Sequence, residues 1–299
     1  MFGNKDMAPS EEWGATFPRQ QGDAAIWQFS GNATRGILMA AMKEQGIRVL
    51  MESDDNYTMP PDSGSSWDIK IDQKKDNHSF EAHVKLCKWV DGIIVSTPNL
   101  ASYYTKLNKN VYVCPNSLDP ADWPDFEKPN DGILRIGWGG SQSHLVDAPL
   151  VQRAFAWAAD QPNVEVWVFG IGGAAKFPRK VKQVPWTDNQ DEYRRLLATC
   201  DVHVCPLIET PWSAGKSDWK ALDAAMAGAW PIVSTATAYS PWHERTMTCT
   251  SSKDWLNALK WVVRHRDEIP ALAKEAGDYV RSQRLIGQNI HYWREAISG

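Results

Sequence analysis

The stretch VHVCPLIETPWSAGKSDWKALDAAMAGAWPIVS, Val202–Ser234, decides the fold. It opens on a short buried-type strand, Val202–Cys205, and closes on another, Trp230–Ser234. Between them Ser217–Ala227 carries a helical period and is stopped by Gly228. Strand, helix and strand in that order make a parallel crossover unit, because two parallel neighbours cannot be joined by a tight hairpin.

The same alternation runs upstream. Ala25–Ser30 reads as a strand, Thr34–Gln45 as a helix ended by Gly46, and Ile47–Ser53 as a strand. A helix over Phe80–Val90 leads to the strand Gly92–Ser96, a short helix Leu100–Leu107 and the strand Asn110–Cys114. Asp54–Asn77, rich in Asp, Pro, Ser and Gly, is a long loop of the length usually kept for function. Pro115, Pro120, Pro124 and Pro129 suit neither helix nor central strand and mark a linker. The pattern restarts with the strand Ile133–Trp138, the turn Gly139-Gly140-Ser141, a helix over Ala148–Ala159, the strand Val164–Phe169 and a helix over Gln190–Thr199. The chain is therefore expected to be α/β, with a domain over 1–130, a second over 131–285 and a C-terminal helix over 286–299. Ligands of open parallel sheets sit beyond the carboxyl ends of the strands, so both domains would present those loops to a cleft.

The chain has 299 residues, a formal net charge of -4 and 43% hydrophobic residues, which fits a globular protein with sizeable cores. Residues 1–132 hold 13 Lys and Arg against 19 Asp and Glu, and the remainder 19 against 17. An acidic first half disfavours a broad nucleic-acid track. Five cysteines without CxxC spacing read as reduced core thiols. With no apolar run near 18 residues and a polar start, the expectation is a cytoplasmic protein without a membrane span, in the host cytoplasm if viral.

Lys216 and Lys220 flank the start of the helix that carries Ser217 and Asp218 in its first turn. Two ammonium groups beside a helix N-terminus make an anion site suited to a diphosphate, and Gly215 lets backbone approach closely. A serine N-cap with solvated lysines is the plain alternative. GxxxxGK[ST] spacing is absent, so this is not a P-loop. Asp223, a short acid among small residues of the same helix, suits hydrogen bonds from a ribose. Asp54 and Asp55 end a strand, where paired carboxylates position an acceptor hydroxyl, take its proton or help hold a cation, or simply make a solvated turn. Gly31 and Asn32 end the preceding strand and open a helix, a further phosphate or sugar contact. His144 lies in the glycine turn and His83 near a helix start, and no histidine spacing supports zinc. Of 16 tryptophans, Trp138, Trp186, Trp212 and Trp219 fall on strand-end or loop positions where an indole can stack on a base or sugar. Trp157, Trp167, Trp255 and Trp261 read as core.

Three segments together carry a family likeness. Cys200–Ser234 resembles the donor half of the group-1, GT-B type glycosyltransferases, in which a helix of the form (E/D)AMAxGxP follows the diphosphate loop. Asp91–Pro98 and Val111–Asp119 resemble the end of the acceptor domain with its PN-x-x-D hinge, and Ile136–Asp147 resembles the first strand and glycine turn of the nucleotide-sugar domain. The resemblance implies a GT-B fold, two Rossmann-like domains facing each other across a cleft. It implies a UDP- or GDP-sugar donor, with Gly139, Gly140, Ser141, His144, Trp186, Gly215, Lys216, Ser217, Asp218, Lys220 and Asp223 around it. Asp223 stands at the family's second, ribose-holding acid. Asp54, Asp55 and Lys216 would be catalytic, and Gly31, Asn32 and His83 would hold the acceptor. No cofactor and no metal are implied, and the outcome would be retaining hexosyl or pentosyl transfer.

One departure is specific. The first acid of the family's EX7E pattern would fall at Gly215. The string Gly215-Lys216-Ser217-Asp218-Trp219-Lys220 instead resembles a variant subgroup of bacterial surface-polysaccharide and bacteriophage enzymes. A surface glycan, a virion or other protein, and hydroxymethylated DNA all suit such enzymes as acceptors. The missing acid also admits a catalytically inactive sugar-nucleotide or glycan-binding module, and the two-domain plan admits a nucleotide-sugar epimerase.

Overall fold

Two all-parallel sheets organise the chain. A computed structural model describes residues 24–28, 33–59, 80–170 and 176–299. Gly31, Asn32 and residues 60–77 of the expected Asp54–Asn77 loop lie outside the described residues. The chain divides into two units, one of residues 1–115, 214–216 and 290–299, the other of 116–213 and 217–289.

The first unit holds β1 (Ala24–Gln28), α1 (Ala33–Glu44), β2 (Arg48–Ser53), α2 (Phe80–Trp89), β3 (Gly92–Val95), α3 (Pro98–Tyr104) and β4 (Val111–Val113). Its strands lie in the order β1-β2-β3-β4. Successive side chains of a strand point to opposite faces, and the core divides accordingly. Val49, Met51, Ile93 and Val95 pack with Met39, Leu86, Cys87, Leu100 and Tyr104 of the three helices. Leu50 and Ile94 face the other way and pack with Cys114 and Ala296. That second face is covered by the end of the last helix of the chain.

The second unit holds β5 (Leu134–Gly139), α4 (Ala148–Ala158), β6 (Val164–Phe169), β7 (Lys182–Val184), α5 (Gln190–Ala198), β8 (Val202–Cys205), α6 (Trp219–Met226), β9 (Trp230–Ser234), β10 (Thr248–Cys249), α7 (Ser252–Arg264) and α8 (Ile269–Gln283). A last helix, α9, spans Ile286–Ser298. The sheet order is β10-β9-β8-β5-β6-β7. From β5 the chain winds one way through β6 and β7, then returns beside β5 and winds the other way through β8, β9 and β10. The reversal leaves a crevice beyond the carboxyl ends of β5 and β8, the usual ligand position in such sheets.

Several expectations need correction. The helix expected from Ser217 begins at Trp219, with Asp218 at its N-cap. The edge strands β7 and β10 were not expected; they are three and two residues long. Trp138 and Trp212 do not line a stacking surface, being 0% and 5% exposed. Trp138 alternates inward with Leu134 and Ile136 on β5, and its ring meets Phe155 and Phe177 edge-on. Trp255 is fully buried, and Trp157, Trp167 and Trp261 pack partly buried against the same core. All five cysteines are buried and unbridged. Among the described residues no helix is long and apolar enough to cross a membrane.

Candidate functional site

In the second unit, the carboxyl end of β5 runs into Gly139 and Gly140, at the point where the strand order reverses. The Gly139 amide donates to His203 Nε2 at 3.1 Å, and its carbonyl accepts from Lys220 Nζ at 2.7 Å. His203 is fully buried, and burial, helped by the Lys220 charge, lowers its pKa to about 3. A neutral imidazole is therefore the standing acceptor for the turn. A Cβ on Gly140 would lie 3.1 Å from Lys220 Nζ and 3.1 Å from His144 Cδ2. Glycine is thus what allows an ammonium, an imidazole and the backbone turn to meet.

His144 is oriented by Asp147, whose Oδ2 lies 2.8 Å from Nδ1. The other Asp147 oxygen accepts the Ile208 amide at 2.8 Å, which ties the loop after β8 to the turn after β5. Ser141 is the N-cap of the short 3-10 turn that carries His144. Trp186 is 59% exposed. A Cβ on Gly170 would meet the Trp186 ring at 2.8 Å and the Gly140 carbonyl at 2.9 Å, so the indole lies against a glycine at the end of β6, beside the turn.

Asp223 points from α6 and is 4% exposed. Burial raises its pKa to about 7, against the opposing charges of Arg194 and Lys220 and a hydrogen bond with Trp219. With Trp219, Tyr193 and Arg194 it lines a cavity of about 220 Å³. Ser217 accepts from Asn116 Nδ2 at 2.6 Å. Asp218, expected beside the donor, is instead taken up by a buried internal network: Arg284 donates to its two carboxylate oxygens at 2.7 and 2.8 Å and the Trp242 indole N–H donates at 2.9 Å.

Lys216 and Gly215 belong to the first unit, apart from Lys220 and Asp223. Lys216 Nζ donates to Asp55 Oδ1 at 2.7 Å, and the two side chains are 22% and 5% exposed. Beneath this pair the hydroxyls of Ser53 and Tyr104 lie 2.7 Å apart, and each reaches the Asp55 carbonyl at 3.1 Å. His83, expected to face an acceptor, sits instead in that buried network. Its Nε2 is 3.3 Å from the Tyr104 hydroxyl and 3.4 Å from Cys87 Sγ, and burial lowers its pKa to about 3. It lies on the inward face of α2, one turn before Cys87. Asp54 is exposed and helps burial raise the Glu52 pKa to about 7, against a hydrogen bond from Gln28.

Gly215 is tightly enclosed by its own unit. A Cβ there would lie 3.0 Å from Leu100 Cδ1 and 3.2 Å from Asn56 Cβ. The carbonyls of Ala214 and Gly215 accept from Asn99 and Thr97 at the start of α3. The backbone is pressed into the first unit where a glutamate would need room.

His203 and Arg284 escaped sequence reasoning. A histidine between Val202 and Val204 in a buried strand must find a hydrogen-bond partner, and that was the available signal. Among the described residues no group of three or more His, Cys, Asp or Glu is placed to hold a metal.

No protein-family model matches the sequence, and no curated protein matches it. Solved structures do match. Sucrose-phosphate synthase from Thermosynechococcus elongatus aligns with a TM-score of 0.66 and 13% identity, over 92% of this chain and 74% of that one. HepE from Anabaena, solved with UDP-glucose, aligns at 0.66 and 12% identity, over 93% and 79%. WaaG, a glycosyltransferase involved in lipopolysaccharide biosynthesis, aligns at 0.59 and 14% identity, over 88% and 81%. At such identities the likeness is one of fold. The chain has the GT-B fold, built from two Rossmann-like α/β domains.

Proposed function

We propose that the protein is a glycosyltransferase that moves a sugar from a nucleoside-diphosphate donor to an acceptor hydroxyl. The observation that carries this reading is the meeting of Gly140, Lys220 and His144 at the strand-order reversal of the second unit. A glycine turn beside an ammonium and a helix start is an anion cradle. Asp223, one turn along α6 from Lys220, supplies an acceptor for ribose hydroxyls, and exposed Trp186 supplies a ring for the base. HepE, of the same fold, was solved with UDP-glucose, which favours a UDP-sugar over a GDP-sugar.

Charge grows on the departing diphosphate, and fixed positive groups aimed at that charge lower the barrier. Lys220 and Lys216 are assigned that work, so transfer is metal-independent and, as in the resembling family, retaining. Asp54 and Asp55 are assigned to the acceptor hydroxyl. The acceptor is a surface glycan, a protein or hydroxymethylated DNA, and the acidic first half places DNA last.

The test is calorimetric binding of UDP, GDP and their sugars, followed by incubation with the bound donor and water as sole acceptor. Binding with slow donor hydrolysis is expected. Binding without any hydrolysis identifies the inactive module, and no binding at all refutes the reading.

A further inference from the structure

Asp218 stands at the N-cap of α6, the helix that carries Lys220 and Asp223, yet it does not cap it. An aspartate in that position ordinarily accepts the backbone N–H groups of the first turn. Here the Asp218 main-chain carbonyl accepts from Ala221 and Leu222 at 2.9 and 3.1 Å, while the side chain makes no capping bond. The carboxylate is turned away onto the Arg284 guanidinium, which grips both oxygens, with the Trp242 indole as a third donor. Arg284 is held in turn, since its second nitrogen also donates to the Asn116 carbonyl at 3.1 Å. The side chains of Arg284 and Asp218 are only 11% and 4% exposed.

We propose that Arg284 is a positioning residue that latches the Asp218 carboxylate away from the start of α6 and so keeps that helix end open to the donor diphosphate. The inference rests on the donor reading above. Asp218 has φ -80° and ψ 20°, outside the extended range of a side-chain cap, and a carboxylate released by Arg284 is able to rotate with its backbone into that range and onto the first-turn N–H groups, where it satisfies the donors an incoming phosphate would use and adds like charge beside it. The bidentate guanidinium grip is the geometry that prevents this, and a lysine cannot reproduce the fork.

The sign of the double mutant separates a latch from mere scaffolding. Dissociation constants for UDP, GDP and inorganic pyrophosphate are measured by calorimetry on the full chain and on Arg284→Ala, Asp218→Ala and the double variant, with melting curves of each. Arg284→Ala is expected to weaken diphosphate binding at least tenfold, and adding Asp218→Ala is expected to restore it to within threefold of wild type. A double variant as weak as Arg284→Ala, or an Arg284→Ala variant that binds as wild type does, overturns the latch. Should Arg284→Ala not fold, Asp218→Asn and Arg284→Lys carry the comparison. The first is expected to bind at least as tightly as wild type and the second more weakly, whereas scaffolding alone predicts weakening in both. Wild type that binds pyrophosphate but neither nucleotide sinks the donor reading and leaves the latch to be judged on the pyrophosphate arms. Wild type that binds none of the three overturns both.

Discussion

Replacing Asp223 by Asn should make the unliganded protein more stable, and by an amount that depends on pH in a defined direction. Burial raises the carboxyl pKa from 3.8 to about 7 in the folded chain. Protons therefore bind the native state more tightly than the unfolded one, and the carboxyl's stabilising contribution is intact below the unfolded value. It is lost as pH climbs through the window from 3.8 to about 7. At about 1.4 kcal/mol per pKa unit, the penalty is about 1–2 kcal/mol at pH 5 and about 4 kcal/mol by pH 8. An asparagine of the same shape does not titrate. The variant's advantage over wild type should grow by about 3 kcal/mol between pH 5 and pH 8, at roughly 2–4 °C of melting temperature per kcal/mol. Glu52, whose pKa is also raised, contributes equally to both proteins and cancels in the difference. The assay is paired urea melts of wild type and Asp223→Asn at four pH values, with UDP affinity measured alongside. A stability difference that is flat across that range refutes the burial argument. UDP affinity unchanged in the variant refutes the ribose assignment.

Three further outcomes follow from the geometry. Gly215→Glu supplies the first acid of the EX7E pattern but sets a Cβ 3.0 Å from Leu100 and 3.2 Å from Asn56. It should destabilise the protein by about 1–3 kcal/mol without raising turnover, and an unchanged melting temperature would show that the pocket has slack. Lys216→Ala should lower turnover per folded molecule about 100-fold, and it leaves the buried Asp55 carboxylate without that ammonium. Near-normal turnover removes Lys216 from the chemistry. Turnover should be the same in excess chelator as in its absence, and a tenfold loss reversed by magnesium would place a metal in the reaction.

How much of this was legible depended on burial and on sequence separation. Central parallel strands are covered on both faces, so β6, β8 and β9 read as predominantly apolar runs despite Glu165 and His203, and their bounds match the expected ones. Edge strands have no such pattern: β7 is Lys-Gln-Val and half solvated. The glycine turn and Lys220 were legible as chemistry because each motif is local. Partnerships were not. Asp218 and Arg284 are 66 residues apart, and Asp55 and Lys216 are 161 apart. Lys216 looked like a companion of Lys220, yet four residues of sequence separate them into different units. His83 looked available because a helix start is usually exposed, and only the packing of α2 on the sheet reveals it as core.

The division of the first unit into distant pieces bears on how the chain is made. Leu50 and Ile94 on one sheet face are packed by Ala296 and by half-buried Trp293, and among the described residues no other helix contributes to that cluster. Those residues leave the ribosome long after the strands they cover. With 175 residues between the end of the first strand set at Pro115 and the arrival of Ile290, synthesis at about 5–20 residues per second leaves that face open for about 9–35 s. The second unit finishes its own segments first. The half of the chain translated earliest is therefore the half completed last, and its bare sheet is the surface a nascent-chain chaperone would meet.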